Sequence, residues 1–273
     1  MTNDGDPTII LTNDDGISSP GIKAVYDRLS RIGDVTVVAP STDNSGVGRA
    51  LSKGREVPLR FDDDSQSIDL SPPDYSWEVS FRDHELGYEV AGTPADCVVA
   101  AVSGLGLDPD IVVSGCNPGP NVGMSVIGRS GTTSAAIEAA HFGVPGIAVS
   151  RVSFGPEQDD FRVESDFVSQ LVQFSLHTGL FDTVDYLNVQ VPSSVPEHIE
   201  ITKPSETHNT SADVDTSENR FVFSHAGDGR REVPGTDRHA IRRDAASISP
   251  LTIRNGPVES DRLRDFAEQY EPA

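Results

Sequence analysis

Short, uninterrupted apolar runs constrain this chain more than any other feature. Ile9-Ile10-Leu11, Val35 to Ala39, Ile111-Val112-Val113 and Ile147-Ala148-Val149 do not alternate with polar residues. A strand that is apolar on both sides of its pleat must be buried on both faces, which means a parallel sheet covered by helices. Helical spacing appears between the runs. Ile22, Val25, Tyr26 and Leu29 follow a start signal at Ser18-Ser19-Pro20-Gly21 and stop at Gly33. Further helices are predicted over about 95–105, 132–142 and 162–176, and further strands at 88–91 and 186–191. The strand–helix–strand order with short joints predicts an α/β, Rossmann-like, doubly wound and mostly parallel sheet with right-handed crossovers. No internal repeat is visible.

The pattern divides the chain into a catalytic core over 1–192 and a smaller, less regular C-terminal extension over 193–273. The core carries a loop and hairpin excursion at about 57–88, where Asp62-Asp63-Asp64 reads as a solvated turn. Residues 200–250 are polar and weakly patterned, and extended segments or hairpins outside the core are expected there. A charged helix is predicted at about 258–270.

Charge narrows the partners. The 273 residues hold 43 Asp+Glu against 21 Lys+Arg, a formal charge of −22, and only Lys23, Lys53 and Lys203 are lysines. An acid-rich, lysine-poor surface fits a protein of concentrated salt, where self-repulsion is screened over ~3 Å at 1 M. Without a basic stripe the chain is a poor partner for duplex nucleic acid or an anionic membrane. No apolar run reaches the ~18 residues of a bilayer span. The first residues are acidic and polar, so a cytoplasmic location is expected, with Cys97 and Cys116 as free buried thiols. A phosphate-bearing ligand would need a metal ion or backbone N–H groups to overcome the negative field.

Three predicted strands end in polar clusters at one edge of the sheet. Asp14 and Asp15 follow the first, Ser45 lies on the loop after the second, and Asn117 follows the strand at 111–114. Ligands of open parallel sheets bind outside these carboxyl ends. Two carboxylates, a hydroxyl and an amide oxygen form a hard, all-oxygen set suited to Mg²⁺ or Mn²⁺ and unsuited to zinc. Each residue alone is compatible with a turn or a cap; the inference rests on their convergence. Ser130-Gly131-Thr132 opens the helix at 132–142, where free N–H groups favour an anion, and Ser130 or Thr132 is equally suited to capping that helix. P-loop, nucleophile-elbow and dinucleotide fingerprints are absent.

Taken together, Ile-Leu-Thr-Asn-Asp-Asp-Gly-Ile at 10–17, Val-Val-Ala-Pro at 37–40 and Asn-Ser-Gly at 44–46 resemble the SurE family of survival-protein nucleotidases. So do Gly-Thr-Pro-Ala-Asp-Cys-Val at 92–98, Asp-Ile-Val-Val-Ser-Gly-Cys-Asn at 110–117, Gly-Pro-Asn-Val-Gly at 119–123, Ser-Gly-Thr at 130–132 and Gly-Val-Pro-Gly-Ile-Ala-Val-Ser at 143–150. The resemblance implies a metal-dependent phosphomonoesterase of nucleoside 5′- and 3′-monophosphates, with one divalent metal ion per subunit. Short polyphosphate or another phosphorylated small molecule is the alternative substrate, and a non-hydrolysing nucleotide-binding regulator would keep the same ligands. Asp14, Asp15, Ser45 and Asn117 would hold the metal, with Asp14 or Asp15 also taking a proton from water. Asn121, Ser130, Gly131 and Thr132 would line the phosphate pocket. A homodimer or homotetramer built partly through exchanged C-terminal segments is also implied. Arg129 departs from the family's usual tyrosine, and either a phosphate contact or a surface salt bridge is expected of it.

Overall fold

A computed structural model describes residues 6–52, 77–153, 160–206, 210–225 and 233–254. The Asp62-Asp63-Asp64 turn, most of the excursion at 57–88 and the helix at 258–270 lie outside these residues.

In chain order, β1 is Thr8–Thr12, α1 Pro20–Leu29, β2 Asp34–Pro40, β3 Phe81–His84, β4 Gly87–Val90 and α2 Pro94–Val99, which runs on into a π-helical turn. Then come β5 Ile111–Asn117, α3 Met124–Ile127, α4 Gly131–His141, β6 Gly146–Val152, α5 Arg162–Thr178 and β7 Tyr186–Pro192. The last part holds β8 Ile199–Ile201, β9 Thr210–Asp215, β10 Arg220–His225, α6 Asp237–Ile241 and β11 Ala246–Leu251. The main sheet has nine strands in the order β3-β4-β2-β1-β5-β6-β7-β11-β8. From β4 to β7 all pairs are parallel, while β3 and β11 join antiparallel. Counting only the parallel strands in chain order, the arrangement is the doubly wound 3-2-1-4-5-6 of a Rossmann-like fold. The winding reverses between β1 and β5.

The continuous apolar runs fill two cores. Ile9, Leu11, Val37, Ile111, Val113, Ile147 and Val149 face α1 and α5, whereas Ile10, Val38 and Val112 face α2 and α4. That is the period-2 consequence of a strand covered on both sides. The parity persists where the strands turn polar: Ser150, Asn188 and Gln190 lie on the α4 side, and Arg151 on the α5 side pairs with buried Glu164 at 2.6 Å. Among the described residues no helix is long and apolar enough to cross a membrane.

One expectation needs correction. Residues 200–250 do not all lie outside the core. β9 and β10 do form a separate two-stranded hairpin, but β11 is an inner strand of the main sheet between β7 and β8. Its alternation of Ser247, Ile248 and Ser249 looks half-exposed in sequence, yet both serine hydroxyls are buried on Thr202 Oγ1 at 2.8 Å. Burial is tolerated because the polar face is satisfied internally.

Ile147 is fully buried at the centre of the larger core. Ile147→Ala is therefore expected to cost ~2–5 kcal/mol in denaturant unfolding through lost transfer energy and a residual cavity.

Candidate functional site

The turn after β1 is closed by Asn13, whose Nδ2 donates to Gly16 O at 2.9 Å and Ser19 Oγ at 2.8 Å. It leaves Asp14 buried and Asp15 half-buried at the reversal point of the sheet. The loop after β2 is drawn to the same place, because Asn44 N–H donates to Asp14 O at 2.7 Å. On that loop, Ser45 donates its N–H (2.7 Å) and its hydroxyl (2.6 Å) to Asp43 Oδ1. These bonds hold the Asp43 carboxyl below the ordinary range, so it stays ionised at the rim.

β5 reaches the edge through a register shift against β6 between Ser114 and Asn117. Gly115 sits there at φ +126°, and a Cβ on it would lie 2.3 Å from Val149 O. The irregularity re-aims the end of the strand. Asn117 then donates its Nδ2 to Gly119 O.

Helix α4 points its N-terminus at Asp14. Ser130 is the N-cap and its hydroxyl accepts from Thr133 N–H at 3.1 Å. Gly131 follows in direct contact: a Cβ there would sit 2.7 Å from Asp14 Cβ and 2.9 Å from Oδ2. Thr132 donates its hydroxyl to Asp14 Oδ1 at 2.6 Å. Burial raises the Asp14 carboxyl above its usual range, Asp43 adds to that, and the hydroxyl and backbone N–H of Thr132 pull it back. The anion at this helix start is thus Asp14 itself.

Asn121 extends the cluster. Its Nδ2 donates to Thr132 Oγ1 at 3.3 Å and Ser150 Oγ at 3.1 Å, and its N–H to Gln190 Oε1 at 2.9 Å. Its carbonyl accepts from Asn188 Nδ2 at 2.9 Å and Gln190 Nε2 at 3.1 Å. The loop continues to Gly123, whose N–H donates to Asp237 Oδ2 at 2.6 Å, while Ser205 N–H donates to Asp237 Oδ1 at 2.9 Å.

Asp14, Asn121, Gly131 and Thr132 therefore form one bonded or contacting cluster, with Ser45 tied to it through Asn44. Asp15 and Asn117 stand on the same edge, and Ser130 spends its hydroxyl as a cap. The donor chemistry fits a hard divalent cation. Among the described residues no three His, Cys, Asp or Glu are grouped so that they alone could hold a metal ion, so a cation here would need the hydroxyl and amide oxygens. Those oxygens are suitably prepared. Ser45 commits its proton to Asp43, and Asn117 its Nδ2 to Gly119, leaving electron pairs on both. Buried Asn13 Oδ1 accepts no hydrogen bond from the protein, and the buried hydroxyls of Thr12 and Ser114 beside it have no hydrogen-bond partner among the described residues.

Sequence reasoning missed Asp43, Ser150, Asn188, Gln190 and Asp237. The strand at 186–191 carried a usable signal, since Leu187, Val189 and Val191 alternate with two amides that must find buried partners. Asp237, in a polar stretch, carried none.

A family model described as survival protein SurE matches residues 9–211. A protein named 5′-nucleotidase SurE from Natronomonas pharaonis is 42% identical over 280 residues, covering 96% of this chain and 99% of its own length. One of the same name from Haloarcula marismortui is 40% identical over 284 residues, covering 98% and 96%. Among solved structures, the SurE protein from Aquifex aeolicus superposes with a TM-score of 0.77 at 28% identity, covering 96% of this chain and 100% of that one.

Gln190 both gives and takes a hydrogen bond at Asn121, so Gln190→Leu strands the buried Asn121 N–H, while the carbonyl keeps Asn188. The expected cost is ~1–3 kcal/mol by denaturant unfolding.

Proposed function

This chain belongs to the SurE family of survival proteins, and from that premise we propose that it is a divalent-metal-dependent phosphomonoesterase, a 5′-nucleotidase that also accepts nucleoside 3′-monophosphates. The observation that carries the reading is the buried Asp14 carboxylate held against the start of α4, on the edge that also bears Asp15, Ser45 and Asn117. These four residues hold the metal, one Mg²⁺ or Mn²⁺ per subunit. When bound, such an ion neutralises phosphate charge and lowers the pKa of a coordinated water toward neutrality.

The protein's own part is positioning. Thr132 fixes the rotamer of Asp14, and Gly131 lets the helix start approach it without a side chain between them. Asn121 holds Thr132 in turn, so the carboxylate is oriented by a chain of satisfied buried groups. Water attacks phosphorus in line with the ester oxygen; its proton passes to Asp14 or Asp15, and the same carboxyl returns it to the nucleoside oxygen as the P–O bond breaks. The dipole at the start of α4 favours the charge that the equatorial oxygens accumulate.

The high acidity and three lysines fit a saline cytoplasm, and the relatives from halophilic archaea agree with that. The assembly is a homodimer or homotetramer. On the β9–β10 hairpin, Phe221 pairs opposite Val214 and Phe223 opposite Ala212, so one face is apolar, with both phenylalanines and Val214 exposed. A second copy of the chain covers that face. Light scattering in molar salt should give a dimer or larger species, and Phe221→Ser with Phe223→Ser should shift it to monomer.

The enzymatic reading is tested by phosphate release from AMP with Mn²⁺, which EDTA should abolish. Asp14→Asn is expected to lose ~100-fold or more of turnover with the fold retained. Near-wild-type turnover in that variant would remove Asp14 from the mechanism.

A further inference from the structure

Arg129 is built into both halves of the candidate site. Its carbonyl accepts from Gly48 N–H at 3.0 Å, which fastens the Ser45 loop to the turn before α4. A Cβ on Gly48 would lie 3.8 Å from Arg129 Cα, so the two segments touch. On its other side Arg129 precedes Ser130, the cap of α4, and Gly131, which touches Asp14.

Its side chain differs from those of the ion-paired arginines. Seven arginines of the described residues have a carboxylate within ion-pair distance. Arg129 has none there, although acidic residues outnumber basic ones 43 to 21. Its exposed guanidinium instead donates to the neutral Thr210 hydroxyl on β9 at 3.3 Å. Arg31 and Arg254 also lack a carboxylate, but Arg129 alone of these three is fastened by its backbone between the Ser45 loop and the start of α4, where a ligand's charge would meet it.

The charge balance of the site says what that is. Asp14 and Asp15 together match a divalent ion, and Asp43 adds a further negative charge at the rim. A phosphate monoester brings a charge of ~−1.5 to −2 that the ion alone cannot offset. A guanidinium forks onto two phosphate oxygens and keeps its charge at any working pH.

Resting on the phosphomonoesterase reading, we propose that Arg129 is a substrate-binding residue that clamps the phosphate of the nucleotide from the Ser45 side of the site. The phosphate displaces the Thr210 contact, a neutral hydrogen bond that a charged acceptor outcompetes.

Calorimetric titration of AMP, inorganic phosphate and adenosine into the Mn²⁺-loaded wild type, Arg129→Ala, Arg129→Gln and Arg129→Lys tests this. Alanine and glutamine should weaken AMP and phosphate by ~10–100-fold, and lysine by less because it keeps the charge but not the fork. Adenosine should bind all four alike, and KM for AMP should rise more than kcat falls. Unchanged AMP and phosphate affinity in the alanine and glutamine variants would overturn the proposal, as would an equal loss for adenosine. A wild type that binds phosphate through Arg129 but releases none from AMP would sink the hydrolytic reading and leave the clamp standing.

Discussion

A carboxylate buried at the reversal point of a parallel sheet has to be compensated, and here the first turn of α4 does it. Glycine at 131 removes the atom that would otherwise strike Asp14 at 2.7 Å, and Thr132 supplies a hydroxyl and an N–H. The two features need each other. Without the close approach the threonine could not reach, and without the donors the buried charge would carry an uncompensated desolvation cost of several kcal/mol. The start of α4, already packed on the sheet through Ala135, Ala136 and Ala139, is thereby tied to the end of β1.

Polar groups behind that contact are satisfied in sequence from one element to the next. Thr132 bonds Asn121, Asn121 bonds Ser150 and Gln190, and Asn188 closes on the same carbonyl. Because β6 and β7 present these side chains to the α4 side, and toward α5 carry apolar ones and the ion-paired Arg151, the network stays out of the larger core. A network of this kind rigidifies only when every member is paired. Asn121 is the shared member, which accounts for its near-complete burial in a glycine- and proline-rich loop.

The parallel strands and their helices were legible because their chemistry is local: a run apolar on both faces has few other fates. The oxygen-bearing residues were legible for a related reason, since the ends of such runs are where ligands bind. β11 was not, because its serines look solvent-facing until Thr202, some 45 residues away, takes them. Asp237 was hidden more completely. Its meaning lies in a hydrogen bond to Gly123 across 114 residues, and no periodicity or motif marks such a pairing. Thr132 read as a cap or a phosphate contact, whereas the folded chain turns it onto Asp14. Sequence shows which groups can donate, not which neighbour is nearest.

That long-range bond sets an order of completion. Once about two hundred residues have left the ribosome, the nascent chain already owns all its oxygen donors and the amide network beneath them. The loop running through Gly123 still lacks its buttress, because Asp237 and the Ser205 segment it secures are made later. That loop therefore waits for a carboxylate synthesised 114 residues after it.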